Sequence, residues 1–322
     1  MSKIIATGKY APELAVSNVD LEKMMDTSDE WIFTRTGIKE RRISQNETTL
    51  DLTYKAALNA IEKSNIDVKS IDLIIVATIT PDYFTPSTAC LLQSKLGLDD
   101  RQVTSFDINA ACTGIIYGIQ IADKFIRSGS HKRALVVGAE TFSKVLNWED
   151  RGTCVLFGDG AGALILDGEE NKILCDYTNS SGDHLLNLAL PAVSLTSPFS
   201  TEKQKEPQHL TMNGSEIFKF ATFVIKDAIE YVLEKSGLTA EDIAYIVPHQ
   251  ANQRIIAKVS RMMKIPLEKF YMNVEHYGNT SAASIGIALD DLYETHTPKI
   301  GDKIILVGFG GGLTWGSILY EV

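Results

Sequence analysis

The chain has 322 residues, 44% of them hydrophobic, with 31 basic and 41 acidic side chains and a formal net charge of −10. That apolar content supports a large core and excludes a disordered chain, and the negative charge argues against nucleic acid as the main partner. No apolar run approaches the ~18 residues of a membrane span, and Gly8 and Lys9 break the N-terminal apolar run too soon for a signal peptide, so a cytoplasmic protein without membrane insertion is expected.

The first helical pattern runs from Leu50 to Lys63, with Leu50, Tyr54, Leu58 and Ile61 on one face and Thr48 and Thr49 as caps. Leu73–Ala77 is a short β-branched apolar run, as expected of a strand buried on both faces. Gly114 to Arg127 is a helix whose first two turns are apolar on nearly every side, which predicts burial of that end. Strands follow at Ala134–Val137 and Ala163–Leu166. Polar residues 168–172 interrupt the core pattern, placing a boundary near 168–180. Residues 192–209 are rich in Ser, Thr, Pro and Lys and read as an exposed loop. A long helix, Ile217 to Lys235, ends at Gly237. Strands at Tyr245–Val247, Ile304–Val307 and Ile318–Tyr320 complete the chain. Alternating strands and helices indicate an α/β fold. Each half contains helix, polar turn, apolar strand and a functional-looking loop, the pattern of a duplication.

Four cysteines in a chain this long make no disulfide scaffold, and no CxxC spacing suggests zinc. Cys90, Cys154 and Cys175 lie in apolar stretches and read as structural. Cys112 differs. It sits among small residues directly ahead of the Gly114 helix, where the helix dipole and unpaired N–H groups favour the nucleophilic thiolate. The competing reading is an ordinary buried cysteine. His249 follows a strand and a proline; ligand sites of α/β folds gather at such strand ends, though a lone histidine is most often structural. Asn279 lies between Gly278 and a run of small residues, where capping the next helix is the simpler role.

The run Gly308–Gly312 follows a strand, but Leu313 replaces the third glycine of a dinucleotide loop and the chain resumes as a strand. It is a glycine turn between strands, open to use as an oxyanion hole or as a plain hairpin. Gly158–Ala163 loosely matches G-x-G-x-x-A yet also enters a strand, so nucleotide binding is rejected there. Arg254, Lys258 and Arg261 form one positive stripe on the helix after His249. That stripe is either a solvated face or a dock for an acidic partner.

Taken together, Asp29-Glu30-Trp31-Ile32, Thr34-Arg35-Thr36-Gly37-Ile38, Phe157-Gly158-Asp159-Gly160-Ala161-Gly162, Pro248-His249-Gln250-Ala251-Asn252, Gly278-Asn279-Thr280-Ser281-Ala282 and Phe309-Gly310-Gly311-Gly312 resemble the β-ketoacyl-[acyl-carrier-protein] synthase III family of the thiolase superfamily. The likeness runs in order along the whole chain. It implies a duplicated, five-layered αβαβα sandwich, normally a homodimer. Residues 1–172 would be the half carrying the nucleophilic cysteine, and 173–322 the half carrying His and Asn.

The resemblance implies catalysis by Cys112, His249 and Asn279, with the backbone N–H groups of Cys112 and Gly311 as oxyanion hole. It implies CoA contacts at Thr27, Trp31, Arg35, Arg151, Asn213, Gly214, Ala251 and Asn252. Trp31 and Arg151 would sandwich the adenine. Docking of an acidic acyl carrier protein would use Lys219, Gln250, Ala251, Asn252, Gln253, Arg254 and Arg261. The implied reaction condenses a short acyl-CoA with malonyl-[acyl-carrier-protein] and initiates fatty-acid synthesis, with no metal or cofactor. Elongating relatives have a second histidine where this chain has Asn279. Thr85 stands where relatives limit the partner subunit's acyl pocket, so a longer or branched primer is an open expectation. The competing readings are a cysteine hydrolase, a same-fold acyltransferase with another acceptor, and an inactive scaffold.

Overall fold

The computed structural model describes residues 2–194, 197–201 and 209–322. Two sheets carry the architecture. The first has five strands in the order Lys3–Tyr10, Gly160–Asp167, Arg133–Glu140, Leu73–Ala77 and Thr104–Ile108. Its last three are parallel to one another, and Gly160–Asp167 is antiparallel to both of its neighbours. The second has Ile173–Ser180, Thr314–Glu321, Lys303–Gly310 and Ile243–Pro248 in that order, with the same sequence of two antiparallel pairings and then a parallel one. Where the first sheet has its fifth strand, the second has a single parallel bridge, Ile246 to Phe270. Residues 168–172 cross from the first sheet to the second.

Helices fill the layers in matching places. Helices Thr49–Ser64 and Thr88–Lys95 pack outside the first sheet through a core that includes Leu52, Ala56, Leu92 and Val137. Gly114–Arg127 and Ser284–His296 lie between the sheets, where Ile115, Ile119, Ile285 and Leu289 meet both. Gly214–Ser236 and Gln253–Met263 cover the second sheet. The five layers are therefore helix, sheet, helix, sheet, helix.

Local chemistry sets the element ends. Thr48 caps its helix in a reciprocal capping box with Asp51, and Gly237 stops the long helix at φ +70°. One expected face is corrected. In Thr49–Ser64 the buried stripe is Thr49, Leu52, Thr53, Ala56, Ala57 and Ala60, whereas Leu50, Tyr54, Leu58 and Ile61 are half-buried flanks. The cause is close approach: a Cβ on Gly8 would stand 2.3 Å from the Ala60 nitrogen. Strand and helix touch backbone to backbone there, so small residues win the interface over large ones. Of the cysteines read as structural, Cys154 is buried and Cys175 half-buried, but Cys90 is exposed. Part of the expected loop 192–209, residues 195–196 and 202–208, lies outside the described residues.

Candidate active site

The duplication builds two matching turns at the heart of the molecule. In each, a short 3-10 turn leads into a central-layer helix: Ala111–Thr113 before Gly114, and Ser281–Ala283 before Ser284. Ala111 and Ser281 hold the same left-handed conformation, φ +45° and +48°. An asparagine side chain tightens each turn, with Asn109 Oδ1 accepting from Ala111 N (3.2 Å) and Asn279 Oδ1 from Ser281 N (2.9 Å). Asn279 thus caps its turn through its oxygen, and its amide nitrogen has no partner among the described residues. Its backbone is clamped on the segment before Gly160, donating to Leu156 O (2.8 Å) and accepting from Gly158 N (3.0 Å).

His249 stands at the C-terminal end of Ile243–Pro248, where its N–H donates to Val307 O (2.8 Å). Its ring lies edge-on to Phe309, with centroids 5.1 Å apart. Nδ1 is 2.5 Å from Ser284 Oγ. Cys112, His249 and Asn279 are only 4%, 1% and 7% exposed, yet all three line one cavity of about 510 Å³. Its other end carries exposed groups, among them Arg35, Arg151, Lys219 and Arg254. Cys112 also borders a second cavity of about 880 Å³, walled by Ile79, Phe84, Phe142, Leu190 and Gly311. The thiol therefore sits where two cavities meet.

Electrostatics correct one expectation. Burial pushes the Cys112 thiol up to about 12, although the Ser281 hydroxyl favours the thiolate and offsets part of that shift. Desolvation outweighs the helix terminus, so the resting group is a thiol. Burial likewise lowers His249 to about 3, which keeps the imidazole neutral. A neutral thiol and a neutral imidazole, rather than a thiolate and an imidazolium, face the cavity.

The glycine turn joins strands Lys303–Gly310 and Thr314–Glu321. A Cβ on Gly310 would meet Cys112 N at 2.7 Å, so only glycine lets the turn pass the Cys112 N–H. That N–H lies in a first helical turn, where N–H groups have no intrahelical acceptor. Gly311 borders the second cavity. Sequence reasoning missed Thr314, whose Oγ1 donates to Ala110 O (3.1 Å) and is 3.1 Å from Thr113 Oγ1. It ties the glycine turn to the cysteine turn. Ser281 and Ser284 were also missed, because their partners are remote in sequence; the regular small-residue run around them was the one available signal.

Of the residues matched to CoA contacts, Trp31, Arg35, Arg151, Gly214, Ala251 and Asn252 line the first cavity. Trp31 has the Arg35 and Arg151 guanidiniums at 4.7 and 5.2 Å from its ring centre. Two stacked contacts need ~7–8 Å, so Arg151 must swing outward before a base can enter between them. Thr27 and Asn213 lie off the cavity. Thr27 Oγ1 is buried without a partner among the described residues, and Asn213 caps the long helix at Glu216 N. Asn252 caps its own helix and donates to Arg35 O (2.9 Å), joining the Trp31 helix Asp29–Thr36 to Gln253–Met263.

Of the residues matched to carrier docking, Lys219, Gln253, Arg254 and Arg261 are exposed. Gln250 is a correction. Its side chain is buried, donating to Pro248 O and Tyr271 O and accepting from Asn273 N and Val274 N. Every polar atom is committed inward, so it offers nothing to a docking partner. Arg254 and Lys258 lie over the Phe218 ring, and neither they nor Arg261 has a carboxylate partner among the described residues. No cluster that could hold a metal occurs among the described residues, and no described helix is long and apolar enough to cross a membrane.

Comparison with known proteins bears on the family and the fold. The family described as 3-oxoacyl-[acyl-carrier-protein (ACP)] synthase III matches residues 106–182, and its C-terminal counterpart matches 233–322. A β-ketoacyl-[acyl-carrier-protein] synthase III of Clostridium acetobutylicum is 53% identical over 320 residues, covering 99% of this chain and 98% of that protein. The crystal structure of 3-oxoacyl-[acyl-carrier-protein] synthase III from Aquifex aeolicus superposes with a TM-score of 0.93 at 45% identity, covering all of both chains. The Thermus thermophilus enzyme gives 0.92 at 41% identity, covering 99% of this chain and 98% of that one. The chain belongs to the β-ketoacyl-[acyl-carrier-protein] synthase III family of thiolase-fold, acyl-transferring condensing enzymes.

Proposed function

We propose that this protein condenses a short acyl-CoA, normally acetyl-CoA, with malonyl-[acyl-carrier-protein] and so initiates fatty-acid synthesis. The observation that carries the proposal is one cavity joining a cationic, Trp-lined mouth to a buried Cys112 flanked by His249 and Asn279. In the first stage Cys112 sulfur attacks the acyl carbonyl. Its proton leaves with the departing CoA as the free thiol, and an acyl-cysteine remains. In the second stage the malonyl thioester carbonyl accepts hydrogen bonds from His249 Nε2 and Asn279 Nδ2. Loss of CO₂ leaves enolate charge on that oxygen. Its carbon attacks the acyl-cysteine carbonyl, the C–S bond breaks to release the 3-ketoacyl carrier protein, and the Cys112 thiolate so formed takes up one proton from solvent. Neutral donors suit this step, because each stabilises charge that develops only in the transition state, at about 2.7–4 kcal/mol per donor. The N–H groups of Cys112 and Gly311 hold the oxyanion of each acyl transfer.

The CoA thioester is a substrate, and the chemistry calls for no metal or prosthetic group. Thr27, Asn213 and Gly214 complete the CoA site with Trp31, Arg35, Arg151, Ala251 and Asn252. Lys219, Gln253, Arg254 and Arg261 meet the acidic carrier. We further propose a cytoplasmic homodimer of protomers with halves 1–172 and 173–322, in which the exposed Thr85 of one copy borders the acyl cavity of the other. Threonine leaves more room there than an aromatic side chain, so a longer or branched primer fits. Intact-mass analysis after incubation with an acyl-CoA panel and then malonyl carrier protein tests the whole reading. The expected result is an acyl adduct on Cys112, discharged as ketoacyl product. Free acid alone would favour a hydrolase. No detectable turnover of isobutyryl-CoA or longer acyl-CoA substrates would remove the primer claim.

A further inference from the structure

We propose that Ser284 is a positioning residue that fixes the proton of His249 on Nε2 and so presents the imidazole to the cavity as a hydrogen-bond donor. Ser284 Oγ lies 2.5 Å from His249 Nδ1, and the Gln250 N–H also points to that oxygen at 3.4 Å. The pair is buried. Two arrangements are open. If Nδ1 carried the proton, Ser284 Oγ would accept from both neighbours and its own hydroxyl proton would have no acceptor among the described residues. If the hydroxyl donates to Nδ1, Oγ still accepts from Gln250, and the one remaining donor is Nε2–H on the cavity side, where substrate or solvent can accept it. Buried donors left unpaired are the costlier solution, so the second arrangement holds. The proton then resides on Nε2, which has no partner among the described residues and belongs to a ring lining the first cavity.

The duplication shows that the turn itself does not need this hydroxyl. The matching position in the first half, also the first residue of a central helix after a 3-10 turn, is Gly114. It has no side chain, and the strand end it faces offers no imidazole. The Ser284 hydroxyl is present where a histidine must be oriented and missing where none is.

This inference rests on His249 acting as a donor to the thioester carbonyl, and its test separates the two claims. In protein labelled with ¹⁵N-histidine, the His249 ring signals are assigned by their loss in His249→Gln. The wild type is expected to show a protonated Nε2 and an unprotonated Nδ1. Ser284→Ala is expected to shift both signals toward a tautomer mixture. It should cut malonyl decarboxylation at least tenfold while acylation of Cys112 by acetyl-CoA stays within twofold. Ser284→Cys keeps the size with a weaker donor and should fall between, which covers the case of a poorly folding alanine variant. Unchanged ¹⁵N signals in both variants would overturn the role of Ser284 in fixing that proton. Shifted signals with undiminished decarboxylation would support it and refute the role given to His249.

Discussion

Gly310→Ala separates a glycine turn that shapes the oxyanion hole at Cys112 N–H from a plain hairpin. Gly310 carries no positive φ, so alanine suits its backbone and the effect is steric. The added Cβ would stand 2.7 Å from Cys112 N, 3.2 Å from Thr113 N and 3.3 Å from Ala111 Cβ. The first of these is backbone against carbon, about 0.8 Å inside ordinary contact of ~3.5 Å. The cysteine turn cannot yield easily, because Thr113 N is bonded to Ala110 O (3.0 Å) and Thr314 pins Ala110 from the other side. The clash therefore displaces the Cys112 N–H from the cavity. Losing one oxyanion donor costs about 2.7–4 kcal/mol, a fall of 10²–10³ in rate, with about 1–3 kcal/mol of overpacking strain in stability. The assay is the rate of Cys112 acylation by acetyl-CoA, followed by intact mass, with Tm measured alongside. Gly182→Ala is the control, since nothing lies within 4 Å of its Cβ position. Acylation at the wild-type rate in Gly310→Ala would refute a Cys112 N–H held in place by the glycine turn.

Because burial holds His249 near 3, the decarboxylation rate should show no acidic limb from this ring between pH 5 and 8; a limb with an apparent pKa near 6.5 would contradict a neutral resting imidazole. Burial raises Glu140 from 4.5 to about 7 against the opposing hydrogen bonds from Thr78, Ile79 and Thr80. The folded state therefore binds more protons than the unfolded state, and this contribution to stability is full below about pH 4.5 and lost as pH rises toward 7. The Tm difference between wild type and Glu140→Gln should accordingly change across pH 4.5–7 and be constant above; a constant difference throughout would count against the shift. Arg254→Glu combined with Arg261→Glu should raise KM for malonyl carrier protein about tenfold at low salt, with the gap closing as salt increases. An equal rise in KM for acetyl-CoA would show that the stripe serves CoA rather than the carrier.

Much of the architecture was legible in sequence because it is locally encoded. Gly114–Arg127 was bounded correctly since its apolar periodicity stops at the polar run Ser128-Gly129-Ser130-His131-Lys132. Gly237 stopped a helix through its backbone freedom alone. The trio was legible as residue types at strand and helix ends, and family likeness supplied their partnership. Other features depend on what packs opposite. The buried face of Thr49–Ser64 is chosen by Gly8 rather than by hydrophobicity along the helix. Gln250 sits between exposed-looking neighbours, but its hydrogen bonds run to Tyr271, Asn273 and Val274, whose proximity no local pattern records. Cys90 shares its apolar surroundings with buried cysteines, and only the fold leaves it exposed.

By itself the sequence determined many of the elements, though not strands Lys3–Tyr10, Thr104–Ile108 and Ile173–Ser180 or helix Thr88–Lys95, together with the duplicated plan and the kinds of side chain able to carry acyl transfer, since these follow from short-range periodicity and chemistry. Tertiary structure alone decided that Cys112, His249 and Asn279 share one cavity, that the thiol rests protonated, and that Ser284 meets the imidazole. Those outcomes depend on burial and on distances between residues up to 167 positions apart in the sequence, so they exist only once both halves have packed around the central helices.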